Sequence, residues 1–293
     1  MKLKTRNLKE YCWGYAFVAP LIIGLILFLL YPLVSAVVYS FSDYDLFHKP
    51  EFVGFANYAN VFKDAVFWKS FKNILLYSLS VPVTIFVSLI LSVVMNQDLK
   101  GMKTYRLIYF IPMVCSSVAV MFIWKWMYAP YYGLLDSFFT KMGWKAPLFL
   151  DKDHFIGSMV TIALWGGLGG RILLFTPTLR NISSSLYEAA RLDGAGWWQI
   201  FFRITFPSIS PITFYLFITG MTGVLQEFTN FNVISGGVFS ETTIVPVWYI
   251  YLYTGEYGYQ FGYASALGIV YGLVLTVFVI INFMAQKWWV KYD

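Results

Sequence analysis

Charge is what this chain has least of. Only 12% of its 293 residues are Asp, Glu, Lys or Arg, where a soluble domain carries roughly 25%. So little charge cannot coat a water-facing surface, which excludes a soluble enzyme. Cysteine and histidine are scarcer still, at two each. Cys12 and Cys115 fall inside apolar runs and read as small packing residues rather than a disulfide. His48 and His154 supply no H-E-x-x-H, and Asp151-Lys-Asp153-His154 has no second ligand pair at helical spacing, so it reads as a solvated loop with no metal. No G-x-x-x-x-G-K-[ST] phosphate loop occurs, and no nucleophile–base pair is backed by an orienting group. The chain reads as non-catalytic, with no cofactor of its own.

Apolar residues, by contrast, make up 59% of the chain and aromatics 21%, which excludes disorder. A bilayer-crossing helix needs roughly 20 mostly apolar residues. Six stretches qualify, at about 13–41, 71–95, 107–128, 155–174, 211–231 and 263–285. The expected fold is therefore an all-α integral membrane protein of one domain with six transmembrane helices. Lys2, Lys4, Arg6 and Lys9 precede the first span, but its apolar part is longer than a signal peptide's 7–15 residues and no cleavage pattern follows. It reads as a retained helix.

The few charges sort by side. The N-terminus, residues 96–106, residues 171–210 and the C-terminus hold 13 Lys and Arg against 5 Asp and Glu, and the other segments hold 8 against 10. Excess Lys and Arg mark the cytoplasmic face, so both termini are expected inside. Residues 129–154 and 232–260 become outer loops. Trp13, Trp124, Trp126, Trp288 and Trp289 read as interface anchors.

The inner segment 183–211 reads SSSLYEAARLDGAGWWQIFFRITFPSISP. Ser185 and Glu188 match a capping box that would start a helix at Leu186, with Glu188 and Arg191 able to pair at i,i+3. Gly194 is a natural terminator, and a second amphipathic piece runs from Trp197 to Ile204. On local grounds alone the segment reads first as an interfacial amphipathic helix.

Glu188-Ala189-Ala190, three residues, Gly194, nine residues, then Ile204-Thr205-Phe206-Pro207 resembles the EAA motif (EAA-x3-G-x9-I-x-L-P) of binding-protein-dependent ABC importer permeases. Every spacing agrees, and the one departure is Phe206 where Leu is usual. Asp193-Gly194-Ala195 is similar to the oligosaccharide branch. Tyr15-Ala-Phe-Val-Ala-Pro20, Gly54-Phe-Ala-Asn57-Tyr58 and Phe261-Gly-Tyr-Ala-Ser-Ala266 resemble maltose-type sugar permeases, so the likeness runs over most of the chain. It implies that Glu188, Ala189, Ala190, Arg191, Asp193, Gly194, Ile204 and Pro207 form a coupling helix that docks into a separate ATP-binding subunit. ATP and magnesium would sit on that partner, and its closure would move spans four and five. The implied assembly is two ATP-binding subunits, a second homologous permease in a heterodimer and an extracytoplasmic solute-binding protein, in a bacterial or archaeal cytoplasmic membrane. No nucleic acid is implied.

A substrate route is sought among polar residues within spans. Thr219, Thr222, Gln226 and Thr229 recur at helical spacing on span five, followed by Asn230 and Asn232. On span two Ser80, Thr84, Ser88 and Ser92 share a face, though Ser and Thr also satisfy themselves on their own helix backbone. Arg171 and Glu227 are ionisable residues within spans, which mark functional sites by default. Arg171 follows Gly166-Gly-Leu-Gly-Gly170, where absent side chains let a ligand or backbone approach. It would bind sugar hydroxyls or an anionic substrate, or else snorkel to the inner interface or pair with Glu227. Trp165, Tyr215, Phe228 and Phe231 are candidates to stack on a sugar. Ala264, Gly268 and Gly272 on span six allow close helix packing, within the chain or with a second permease. Within the same family, permeases for glycerol phosphate or uronate oligosaccharides would look alike. An ion-coupled secondary transporter would call for paired mid-span acids and repeated halves, and Glu227 stands alone. A membrane-embedded enzyme lacks its His/Asp or metal constellation.

Overall fold

Two short π-helical turns in this structure sit in the same place relative to a proline. Proline has no N–H, and its ring crowds the carbonyl four residues back. Just before Pro32, the Tyr31 N–H reaches back five residues to the Ile26 carbonyl. Just before Pro207, the Phe206 N–H does the same to the Phe201 carbonyl. A widened turn makes room for the ring.

The computed structural model describes residues 8–96 and 101–291. Lys2, Lys4 and Arg6 lie outside the described residues, as do residues 97–100 of the basic segment 96–106 and the final two residues. The chain is mostly helical, with α1 (Leu8–Leu25), α2 (Tyr31–Ser40), α3 (Ala56–Lys63), α4 (Ala65–Ser78), α5 (Ser80–Met95), α6 (Met102–Val114), α7 (Ser117–Met127) and α8 (Leu134–Lys141) in its first half. The second half holds α9 (Phe155–Arg180), α10 (Ser184–Leu192), α11 (Trp197–Ile200), α12 (Phe206–Ser208), α13 (Ser210–Leu225), α14 (Thr229–Ser235), α15 (Pro246–Tyr253) and α16 (Phe261–Trp289). Among the described residues four helices are long and apolar enough to cross a bilayer: Glu10–Ser40, Ala65–Met95, Phe155–Arg180 and Phe261–Trp289. Two bent pairs bring the number to six if each counts as one crossing: Leu107–Val114 with Ser117–Met127 at 109°, and Trp197–Ser208 with Ser210–Leu225 at 67°. The second bend follows from Pro211, which has no N–H to give the Pro207 carbonyl. Ser210 Oγ donates there instead, at 2.7 Å.

By packing, the chain divides into two units. One holds the chain up to Asp64 together with Ile250–Gly272. Its long N-terminal helix buries nothing before Ser40, and Phe17 and Phe28 are more than 80% exposed, so its apolar surface has no cover within the chain. The Gly54-Phe-Ala-Asn57-Tyr58 run ties down the end of that helix. Asn57 Nδ2 donates to the carbonyls of Ser40 and Ser42, and Tyr58 OH bonds Ser40 Oγ. Beyond it, β1 (Ser42–Asp43) pairs antiparallel with β2 (Glu51–Phe52), Ser42 opposite Phe52. The connecting turn is closed by Asp45, whose carboxylate accepts the N–H groups of Phe47 and His48 and bonds His48 Nδ1 at 2.7 Å. At Gly262 a Cβ would strike the Ser42 carbonyl, and its N–H donates to Tyr44 O at 3.1 Å.

The other unit comprises Ala65–Tyr249 and the chain after Gly272. Its most extensive helix pairing is α5 on α9. Ser80, Thr84, Ser88 and Ser92 are all buried, and these small side chains let two backbones approach. Thr84 and Ser92 donate to their own i−4 carbonyls. Val81, Ile85 and Leu89 meet Phe175, Leu179, Ile209 and Leu216 in one apolar cluster.

The structure bears on four sequence expectations. Cys12 and Cys115 are free, as expected, but exposed rather than packed inside. Residues 232–260 are not simply loop: α15 lies there, with Trp248 and Leu252 fully buried. Trp124 and Trp289 pack within the chain, on Trp165 and on Phe206 and Phe214. At Gly268 and Gly272 an added Cβ meets nothing within 4 Å, so close helix packing there does not occur inside the described chain.

Candidate functional site

The EAA segment is a helix, a sharp turn and a second helix. α10 starts at Ser184, two residues earlier than the capping-box reading, and the box does not form. Ser183 occupies the cap position with extended backbone, and its hydroxyl bonds Ser185 Oγ at 2.7 Å rather than a backbone N–H. Nor do Glu188 and Arg191 pair, since neither joins an ion pair among the described residues. Both point outward.

The turn after α10 is built by its glycine. Gly194 sits at φ +77°, a region costly to residues with a Cβ. Its N–H donates to the Arg191 carbonyl (3.1 Å) and the Ala195 N–H to the Ala190 carbonyl (2.9 Å). Those two bonds are the Schellman closure, which satisfies carbonyls left over at a helix end. Asp193 is the C-cap residue. Gly196 then caps α11, its own N–H held by the Gln199 side chain at 2.9 Å. The second helix continues through the Phe201–Thr205 π turn that Pro207 imposes, and the Ile204 carbonyl accepts the Ser208 hydroxyl at 2.8 Å. Tyr187 OH and Thr205 Oγ1 share a 3.2 Å hydrogen bond that ties the two arms together. At the base, Arg180 Nε donates to Asn96 Oδ1 at 2.9 Å.

The outer face of this bend is open. Glu188, Ala189, Arg191, Asp193 and Gly194 are exposed, and Leu192 is 89% exposed. Ala190 is half-buried at the closure. Trp197 stacks on Phe201 and Trp198 on Phe202. A cavity of about 470 Å³ runs beneath α10, with Tyr187, Arg191, Trp197 and Thr205 among its walls.

A second cavity, about 350 Å³, lies within the helices and is walled in part by Tyr77, Ser80, Thr84, Cys115, Arg171 and Asn230. Arg171 also borders an adjoining space with Gly166, Gly170 and Thr219. Its guanidinium occupies room left by two glycines: a Cβ at Gly167 would collide with Nη1, and one at Gly220 would come within 3.0 Å of Nη2. The other glycines of the run serve different neighbours, Gly169 the Tyr109 carbonyl and Gly170 Met113 Sδ, while Gly166 is open. Nη1 donates to Gly167 O at 3.0 Å, and Nε is buried without a partner.

The remaining sequence candidates do not gather there. The expected stripe on span five is broken, because α13 ends at Leu225 and Gln226 is its C-cap. Thr229 therefore opens a different helix. Thr219 and Thr222 donate to their own i−4 carbonyls. Thr222 and Gln226 line a separate space against Leu275 and Thr276. Glu227 accepts from both the N–H and Nδ2 of Asn230 at 3.0 Å, which fastens the start of α14. It does not pair with Arg171. Trp165 stands edge-on to Trp124, away from the Arg171 cavity, and Phe231 is fully buried against Tyr77 and Phe155. Tyr77 was not singled out in the sequence, since a tyrosine in an apolar run carries no positional signal.

Comparison with known proteins agrees with this architecture. Residues 70–291 match the family model described as "Binding-protein-dependent transport system inner membrane component". The chain is 31% identical to the probable ABC transporter permease protein YesP of Bacillus subtilis, over 99% of this chain and 96% of that one. It is 30% identical to the lactose transport system permease protein LacF of Rhizobium radiobacter, over 94% of each. It superposes with a TM-score of 0.82 at 24% identity, covering 96% of both chains, on a chain of a bacterial alginate ABC transporter solved in complex with an alginate pentasaccharide-bound periplasmic protein.

Proposed function

The chain belongs to the family of inner membrane components of binding-protein-dependent transport systems, and from that premise we propose that it is the permease subunit of an ATP-driven importer for a sugar or oligosaccharide. The observation that carries this reading is the exposed, glycine-closed bend at residues 184–208. A short helix locked by a Schellman turn and cross-braced by Tyr187 and Thr205 is a stiff lever. Its outer face offers a carboxylate, Glu188, beside small and apolar surface, Ala189 and Leu192, suited to a groove on another subunit.

In this proposal ATP and magnesium are bound by two partner subunits, and this chain contributes no catalytic residue. Motion of the lever is passed to α9 and α13, which flank it in sequence. A solute-binding protein delivers substrate on the outer side, and a second, non-identical permease completes the route. In this proposal the chain crosses the membrane six times, and the excess of Lys and Arg supports cytoplasmic termini and a cytoplasmic bend.

The test is reconstitution of this chain with its second permease, ATP-binding subunits and binding protein in proteoliposomes. Sugar uptake that requires ATP, and ATP hydrolysis that rises with loaded binding protein, is the expected result. Uptake that persists without the ATP-binding subunits, or that a protonophore abolishes while ATP stays high, would overturn the reading.

A further inference from the structure

We propose that Arg171 recognises an anionic group on the transported molecule, so that the substrate is a polyhydroxylated anion, a uronate saccharide or a sugar phosphate; this rests on the importer function proposed above. Arg171 lies 9 residues before the end of α9 at Arg180, about 13 Å at 1.5 Å per residue, and close to the middle of that helix. Its Nη1 bonds the carbonyl of Gly167, one turn back, so the side chain runs away from the Arg180 end. Snorkelling to that interface does not occur.

The second step is charge accounting. A guanidinium carries five N–H donors. Nη1 has a partner in Gly167 O, whereas Nε is buried with none. The nearest sequence candidate for a counter-ion, Glu227, has its two oxygens engaged by Asn230. No carboxylate among the described residues forms an ion pair with Arg171. An uncompensated charge within a membrane helix is costly. A sugar hydroxyl would accept a hydrogen bond but leave that charge uncompensated, whereas a carboxylate or phosphate supplies both hydrogen-bond acceptors and counter-charge.

The third step is the rest of the cavity. Asn230, which lines the same cavity, has its Oδ1 also buried without a partner. It is an acceptor and suits a hydroxyl donor. A lone cation and a lone acceptor across one cavity match an anion that also carries hydroxyls. The fit of the guanidinium between Gly167 and Gly220 holds it there.

Cys115 also lines this cavity and is exposed, which makes it a reporter. In the complete transporter carrying Cys12→Ser, maleimide labelling of Cys115 should be slowed by trigalacturonate or glucose 1-phosphate and unaffected by the methyl ester of trigalacturonate. Arg171→Gln should remove that protection and lower uptake of the acid by at least about tenfold, the loss of 1.4 kcal/mol or more. Arg171→Lys, which keeps the charge, should retain part of both. Gly220→Ala should weaken protection with the charge intact. Protection by glucose 1-phosphate alone would assign the anion to a phosphate. Equal protection and uptake of acid and ester in the wild type, or unchanged protection in Arg171→Gln, would overturn the proposal. Should no saccharide be imported at all, the importer function falls, and Cys115 protection still decides the anion site by itself. Because the wild-type comparison of acid and ester needs no variant, misfolding of Arg171→Gln leaves the proposal falsifiable.

Discussion

The bend at residues 184–208 and the cavity around Arg171 are built on opposite plans. Every bond that shapes the bend connects residues within about one to five helical turns of chain, from Ala195 back to Ala190 and from Tyr187 across to Thr205. The cavity draws its walls from α4, α5, α6, α7, α9, α13 and α14 and from the stretch joining α6 to α7, so no single segment defines it. One region turns its polar groups outward and meets their needs locally. The other keeps a cation among helices and leaves it short of partners. Under the proposed function the bend would serve as a lever, stiff before it meets another subunit, and the cavity as a passage whose unmet needs a substrate would fill.

The sharpest way to break the lever is Gly194→Pro. Proline has no N–H to give the Arg191 carbonyl and cannot adopt φ +77°. Substrate-stimulated ATP hydrolysis in proteoliposomes should fall to background while membrane insertion, read by protease protection, stays normal. Intact coupling in that variant would show that the closure is not needed.

The helix packing around the cavity is tested by a matched pair in one glycine run. A Cβ at Gly169 strikes the Tyr109 carbonyl, whereas one at Gly166 meets nothing within 4 Å. Gly169→Ala should destabilise the detergent-solubilised chain by about 1–3 kcal/mol, and Gly166→Ala should leave its melting temperature unchanged or slightly raised. Equal shifts would mean that α6 and α9 do not pack as described. A smaller effect is expected from Tyr187→Phe, which removes the brace to Thr205 and should cost about 0.5–1.5 kcal/mol, seen as faster hydrogen exchange in α10.

The smallest effect lies outside both regions, in the Asp45–His48 turn, and sets a reference for purely local chemistry. The bond from His48 holds the Asp45 carboxyl below its ordinary 3.8, and Asp45 raises His48 above its ordinary 6.5. The raised histidine stabilises below its unfolded pKa and loses that contribution as pH rises through its folded value. The lowered carboxyl stabilises above its unfolded pKa and loses its contribution as pH falls through its folded value. The turn is therefore firmest between about pH 4 and 6.5. An NMR titration should place His48 above 6.5, and Asp45→Asn should bring it down; no change would mean that the pair does not form in solution.

Much of the bend was legible because its rules are short-ranged. A glycine three residues after Glu-Ala-Ala marks where the helix stops, and Pro207 marks where the second helix must widen. What failed there failed for a local reason too. Ser183, Ser184 and Ser185 offer three neighbouring cap positions of equal chemistry, and the pattern alone selected the wrong one. In span five, periodicity carried the helix through Gln226 to Thr229. The chain instead breaks, because Glu227 takes both donors of Asn230 and starts a new helix.

By itself, then, the scarcity of charge determined that this chain lives in a bilayer, and the spacing from Glu188 to Pro207 determined a rigid bend, since hydropathy and backbone hydrogen bonding act over a few residues. Only the tertiary structure decided which glycine serves which neighbour and that Arg171 is left without a counter-ion. Those are questions of charge and volume between helices up to about 150 residues apart in the chain, and in a low-dielectric interior they are settled by what packing brings within reach.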